Sequence, residues 1–295
     1  MAQELYASSA AAKRVLDEAE AALPGLLELM WVGPADELQL TANQQPALVA
    51  AGAAAYAAWL EAGGPAADFG AGHSLGEYTA HVAAGSLSVG DAVKLVRRRG
   101  TYMQEAVPAG EGAMAAVLKL EQAQVEDALR SVSTGDGTVV EIANLNSPGQ
   151  TVISGSTAGV EAASAALKEL GGRVVPLKVS APFHCSLMQP AAERLAVDLE
   201  ATAFAQPTFD IVCNVTAEPL ADISQAPELL TLQVTGSVRW VECVRKLREL
   251  GATRYVEFGS GNVLTGLVGR ILDDAPASAV TDPASLEAAL EEVRS

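Results

Sequence analysis

The sequence is poor in the groups that disulfides, metal centres and nucleic-acid interfaces require. Only three cysteines occur in 295 residues, Cys185, Cys213 and Cys243. Their odd number and wide spacing leave no C-x-x-C pair for a disulfide or a zinc site, so reduced and buried thiols are expected. No His/Cys/Asp/Glu cluster has metal-ligand spacing. No apolar run approaches the roughly 20 residues that cross a bilayer. The start, Met1-Ala2-Gln3-Glu4-Leu5, lacks a basic region ahead of an apolar one. Neither a membrane span nor a secretory signal is read, and the cytoplasm is the expected location. Positive charge is also scarce: 19 Lys and Arg stand against 36 Asp and Glu, a formal net charge of −17. Such a chain repels nucleic acid and anionic lipid, which excludes both as expected partners. No internal repeat, low-complexity tract or long linker interrupts it.

What remains is a chain long enough to bury a full core, 49% hydrophobic, of a length that fits one main domain plus a smaller insert. The first sixty residues carry Ala, Leu and Glu at helical spacing, with a further helix from Pro46 to Ala62 that starts on its proline and stops at Gly63-Gly64. Ala66 to Ala71 then reads as a strand, and a helix follows from Glu77. From Ala113 to Val179 the spacing predicts strand, helix, strand, strand, helix, strand, with a turn at Asn146-Ser147-Pro148-Gly149. That is the order of a ferredoxin-like βαββαβ unit. Beyond it come a long helix, a strand Asp210 to Val215, a helix ending at Leu250, a strand Tyr255 to Phe258 and one more helix. The expected fold is α/β, with a mostly parallel sheet covered on both faces. Its core is discontinuous, residues 1–110 and 181–295, and residues 111–180 form the inserted subdomain.

The chemistry concentrates at Gly72-His73-Ser74-Leu75-Gly76, a G-x-S-x-G pattern between the strand and the helix. In that setting the serine is exposed at a sharp bend and becomes a nucleophile. The backbone N–H of Leu75, at a helix N-terminus, supplies one donor for negative charge on an attacked carbonyl. A serine needs a base, and the chain has three histidines, His73, His81 and His184. His73 adjoins Ser74 and points away, and His81 lies on the following helix. His184 remains, next to a helix start that should keep its imidazole neutral. No carboxylate fits as a third member: Asp91 reads as a helix-capping residue and Asp136 as part of a turn. A neutral acceptor such as a backbone carbonyl is therefore expected to orient His184. Arg97, Arg98 and Arg99 follow an apolar stripe of Val89, Val93, Val96 and Met103. Two of the three read as surface charge at a helix end, and one aimed inward would offer a fork of donors to a carboxylate. Gly259-Ser260-Gly261 lacks the spacing of a dinucleotide loop.

Five stretches resemble the acyltransferase family that loads malonyl groups in fatty-acid and polyketide synthesis: Gly72 to Glu77, Arg99 to Gln104, Asn144 to Gln150, Pro182 to Met188, and Gly259 to Leu264. The resemblance covers nearly the whole chain. It implies an α/β-hydrolase-like core with the ferredoxin-like insert, Ser74 as nucleophile, His184 as base, and Arg99 as the clamp on the malonyl carboxylate. It further implies that the Gln233 backbone carbonyl orients the histidine, and that Leu75, Phe183 and Asn146 contribute to the substrate site. Phe183 resembles the residue of malonyl-selective members, where a bulky ring leaves little room for an α-methyl branch, so methylmalonyl-CoA should be a poor substrate. The implied partners are malonyl-CoA and an acyl carrier protein, with no cofactor besides the coenzyme A thioester itself. An acidic carrier calls for a positive face, and Lys94, Arg97 and Arg98, or Arg239, Arg245, Lys246 and Arg248, are the candidates.

Members of the family usually begin with a strand and a Gly-Gln-Gly-Ser-Gln loop that holds a second oxyanion donor, and this chain starts just beyond that point. Either the recorded start lies too far downstream or this form is impaired. Loss of such a donor costs about 10²–10³ in rate. Two alternatives stand beside the transferase: a serine thioesterase or esterase, and an impaired homologue that only binds the carrier.

Overall fold

The computed structural model describes residues 1–132, 138–179 and 181–294. The expected helical start is present as α1 (Gln3–Ser8), α2 (Ala10–Ala22), α3 (Leu26–Trp31), α4 (Ala35–Gln39) and α5 (Thr41–Glu61). The last of these corrects the boundary at Pro46, which sits inside the helix rather than at its first turn. A proline there has no N–H for the carbonyl four residues back. The freed Ala42 carbonyl instead accepts from Arg97 Nη1 at 3.3 Å. The same turn touches Gly100 so closely that a Cβ there would lie 2.7 Å from the Ala42 Cα.

Strand β1 (Phe69–Ala71) is half the expected length and leads through Ser74 into α6 (Leu75–Ala83). Helix α7 (Val89–Glu105) is capped by Ser88, whose hydroxyl accepts from the Asp91 N–H at 3.0 Å. Val89, Val93, Val96 and Met103 form its buried stripe. Arg97 to Arg99 lie in the middle of this helix, not at its end, so the helix dipole does not account for them.

The insert comprises β2 (Gly112–Leu118), α8 (Gln122–Val132), β3 (Val140–Ser147), β4 (Gln150–Ser156), α9 (Thr157–Glu169) and β5 (Arg173–Pro176). The strands pair antiparallel in the order β3-β4-β2-β5. Val117, Val125, Ile153 and Leu167 belong to a core of their own beneath this sheet. Asn146 lies in β3 rather than in the turn, which shrinks to Pro148-Gly149 with Gly149 at φ 70°. The turn at Asp136 falls outside the described residues.

The chain returns through α10 (Gln189–Glu200), β6 (Asp210–Val212), α11 (Ala226–Thr235), α12 (Trp240–Glu249), β7 (Tyr255–Phe258), α13 (Val263–Ile271), β8 (Ala277–Val280) and α14 (Pro283–Arg294). The single helix expected up to Leu250 is two. Its break lets Val238 bond to β3, donating to the Ala143 carbonyl at 2.8 Å and accepting from the Leu145 N–H at 2.9 Å. Strand β8 and helix α14 were not anticipated. Strand β1 pairs in parallel with β6, and β7 in parallel with β8. Neither β1 nor β7 has a second strand partner among the described residues. Between them lies a cavity of about 480 Å³ bordered by Gly70, Phe209, Trp240, Val256, Phe258 and Leu264. Among the described residues no helix is long and apolar enough to cross a membrane.

Candidate active site

Ser74 occupies the bend between β1 and α6 with φ 50° and ψ −103°, a conformation that side chains rarely adopt. Two features hold it there. Gly72 leaves no room for a side chain, since a Cβ would lie 1.9 Å from the Gly76 carbonyl carbon. Asn214, just beyond β6, accepts from the Ser74 N–H through Oδ1 at 2.6 Å and donates through Nδ2 to the Gly72 carbonyl at 2.7 Å. The pairing of β1 with β6 thus delivers the amide that pins the turn. Leu75 opens α6, so its N–H belongs to the first turn, where no helical carbonyl is available.

His184 lies in the segment that leads from the insert to α10, itself at φ 59°. Its Nε2 is 2.8 Å from Ser74 Oγ, and its Nδ1 is 2.9 Å from the Gln233 backbone carbonyl. A carbonyl can only accept, so Nδ1 carries the proton and Nε2 is left to accept from the serine. Burial, and after it the positive charge of Arg99, draw the imidazole pKa down to about 3. Burial, rather than a helix start, is what keeps His184 neutral. The neutral carbonyl expected in place of a triad acid is present, and Asp91 serves α7 as expected.

Of the three arginines, Arg97 turns to Ala42 and Asn43 and Arg98 pairs with Asp198. Arg99 alone points inward, 2% exposed. Its Nη2 donates to Ser74 Oγ at 3.0 Å and to Gln233 Oε1 at 2.9 Å, and its Nη1 donates to Gln45 Oε1 at 2.8 Å. Among the described residues no ion pair reaches this guanidinium, and its buried Nε has no hydrogen-bond partner. A buried cation whose hydrogen bonds all go to neutral amide and hydroxyl oxygens, with a donor to spare, is suited to an anion that arrives with a ligand.

His73 turns from Ser74 and pairs through Nε2 with Asn146 Oδ1 at 2.8 Å. This brings Asn146 to the rim of the site. His81 is buried against Ser86, 2.7 Å from its hydroxyl. Phe183, next to His184, packs half-buried against Met114, Ala143 and Val152 of the insert. Three residues of this arrangement were not singled out from the sequence: Gln45, Asn214 and Glu77, whose Oε2 accepts from Gln233 Nε2 at 2.7 Å. Glu77 directly follows the G-x-S-x-G pattern, so position could have flagged it. Gln45 and Asn214 have no local signal.

The comparison with known families decides the class: the acyl transferase domain model matches residues 1–270. The chain belongs to the acyl transferase domain family. The malonyl CoA-acyl carrier protein transacylase of Bacillus subtilis (strain 168) is 45% identical over 296 residues, spanning 100% of this chain and 93% of that relative. The protein of that description in Escherichia coli (strain K12) is 44% identical, over 99% of this chain and 94% of its own. Among solved structures, the acyl-carrier-protein S-malonyltransferase of Burkholderia pseudomallei 1710b superposes with a TM-score of 0.93 at 44% identity, covering 97% of this chain and 93% of that one. A type II PKS acyl-carrier protein in complex with its malonyl-transacylase matches with a TM-score of 0.94 at 42% identity, over 99% of this chain and 94% of that one. The likeness to these acyl transferases covers core and insert alike.

Within this acyl transferase fold, the basic clusters expected to form a docking face are largely neutralised. Arg239 pairs with Glu242, Lys246 with Glu218 and Glu249, and Arg248 with Asp274. The three cysteines are free and buried. Gly259-Ser260-Gly261 joins β7 to α13, and among the described residues no group of three or more His, Cys, Asp or Glu could hold a metal.

Proposed function

We propose that this acyl transferase moves a malonyl group from malonyl-CoA to the phosphopantetheine thiol of an acyl carrier protein, in fatty-acid or polyketide synthesis, through an ester on Ser74. The observation that carries the reading is the joint contact of Ser74 Oγ with His184 Nε2 and Arg99 Nη2, in a family whose similar members bear that activity in their names.

In the first half-reaction, Ser74 Oγ attacks the thioester carbonyl as its proton passes to His184 Nε2, and the coenzyme A thiolate leaves with that proton. In the second, the carrier thiol gives its proton to His184 and attacks the Ser74 ester, and the serine recovers its hydrogen. This is ping-pong chemistry. The Gln233 carbonyl, bonded to Nδ1–H, fixes the tautomer and steadies the imidazolium formed in each step. The Leu75 N–H faces the developing oxyanion. Arg99 takes the malonyl carboxylate, offering Nε and the Nη2 that now touches Ser74. Phe183 and Asn146 border the acyl group. No further cofactor takes part, and the cytoplasm, where reduced thiols persist, is the setting. Lys94 and Arg245, both exposed, are the candidate carrier contacts within the two basic clusters.

Mass spectrometry of the intact protein after brief exposure to malonyl-CoA tests the proposal. Malonyl should appear on the wild type, be absent from Ser74→Ala, and discharge when carrier protein is added. Discharge to water at the same rate with or without carrier would establish a thioesterase instead. No label at all would leave a carrier-binding homologue.

A further inference from the structure

Glu77 stands in the first turn of α6, 1% exposed, and none of the steps above uses it. Its Oε2 accepts from Gln233 Nε2 at 2.7 Å and from the Asn214 backbone N–H at 3.1 Å. These two residues lead to the rest of the site. Gln233 accepts from Arg99 through its side-chain oxygen and from His184 through its backbone carbonyl. Asn214 holds the Ser74 turn.

A primary amide is nearly symmetric in shape and wholly asymmetric in chemistry, since its oxygen only accepts and its nitrogen only donates. Glu77 Oε2, which accepts at 2.7 Å, and the Ser74 carbonyl, which accepts at 3.0 Å, both face one end of the Gln233 amide, so Nε2 lies there and the oxygen faces Arg99. Reversed, the amide would set its NH2 against a guanidinium and its oxygen against a carboxylate. Both contacts are repulsive, in a place with little water to relieve them. Burial raises the Glu77 carboxyl to about 7, and the hydrogen bonds from Gln233 and Asn214 oppose that rise. Donors and acceptor hold one another in place.

We propose that Glu77 is a positioning residue, fixing the orientation of the Gln233 amide and through it the pose in which Arg99 receives a carboxylate on the acyl group. The assignment rests on the reading of Arg99 given above. It makes Glu77 a determinant of acyl selectivity that never touches the substrate.

The test compares acyl-enzyme formation from malonyl-CoA and from acetyl-CoA, which shares the leaving group and lacks the carboxylate. Glu77→Met, of similar length with no acceptor oxygen, should lower kcat/KM for malonyl-CoA about tenfold more than for acetyl-CoA, chiefly through KM. Glu77→Gln can still present a carbonyl oxygen to both donors and should restore selectivity to within about threefold of wild type. Gln233→Met breaks the link from its other end, so the proposal remains testable if Glu77→Met does not fold. In Arg99→Met the selectivity ratio should collapse, and adding Glu77→Met should change it no further. Parallel losses for both substrates in Glu77→Met, against a collapsed ratio in Arg99→Met, would reduce Glu77 to a packing role and overturn the proposal alone. An unchanged ratio in Arg99→Met would remove the Arg99 reading and this proposal together.

Discussion

Arg99 Nη2 donates to Ser74 Oγ across 3.0 Å, so the cation read as the substrate clamp is hydrogen-bonded to the proposed nucleophile. The serine oxygen therefore accepts from Arg99 while donating to His184, and it is held between the two. A malonyl carboxylate drawing on Arg99 competes for that donor. Occupation of the clamp would then free an Oγ lone pair for attack.

Arg99→Lys preserves the charge and loses the fork. A lysine ammonium cannot reach Gln45, Gln233 and Ser74 together as the guanidinium does. Acylation by malonyl-CoA should fall by about 10²-fold, while acylation by acetyl-CoA should change by less than about tenfold. Single-turnover acylation with each thioester measures both. Equal losses would show that Arg99 serves the nucleophile and not the carboxylate.

Replacing His184 by Ala should slow malonyl loading of Ser74 by about 10²–10⁴-fold, the usual contribution of a general base. Because His184 stays neutral well below pH 6, the wild-type acylation rate should show no loss from imidazole protonation between pH 5 and pH 7. A rapid-quench pH profile with an inflection near 6.5 would contradict this.

In the proposed function Phe183 limits the room beside His184. Phe183→Ala should raise the ratio of methylmalonyl to malonyl transfer by about tenfold, the worth of a methyl group admitted to an apolar pocket. Competition between the two thioesters, read by mass spectrometry of the acyl-enzyme, checks this. An unchanged ratio would place the steric limit elsewhere.

The two glycines of the serine motif should differ sharply. Gly72→Ala forces a Cβ to within 1.9 Å of the Gly76 backbone and should destabilise the protein by more than about 2 kcal/mol. At Gly76 an added Cβ meets nothing within 4 Å, so Gly76→Ala should change stability by less than about 1 kcal/mol. Urea unfolding of both variants measures the difference.

Stability should also depend on pH through the buried histidines. Burial lowers His184 to about 3 and His81 to about 4, so below about pH 6.5 the unfolded chain takes up protons that the folded one refuses. Stability therefore falls with pH in that range, by at most about 1.4 kcal/mol per pH unit for each histidine. Glu77, raised to about 7, acts in the opposite sense, because the folded chain keeps a proton that the unfolded chain loses above about 4.5. Burial lowers His73 as well, and three histidines outweigh one carboxyl, so stability should rise from pH 5 to pH 6.5. His81→Asn should flatten that rise when unfolding midpoints are compared across the range.

Much of this was legible in the chain. The βαββαβ order could be read because each of its elements is defined by local periodicity and bounded by turn residues. Ser74 could be read because the elbow lies within five consecutive residues. His184 followed from a list of only three histidines. The boundaries misread were those where a tertiary contact overrides local preference. Pro46 is accommodated inside α5 because Arg97 satisfies the carbonyl that it leaves free. The break between α11 and α12 exists because Val238 bonds to β3.

By itself the sequence determined the fold class and pointed to Ser74 and His184, since these depend on patterns a few residues long or on residue types too rare to confuse. The resemblance singled out Arg99 among three consecutive arginines; only the tertiary structure showed that it bonds to Ser74 while its neighbours turn away, that Gln45, Asn214 and Glu77 belong to the site, and that burial is what keeps His184 neutral. Those properties arise from contacts between residues 25 to 156 positions apart, and from exclusion of water, which no local pattern encodes.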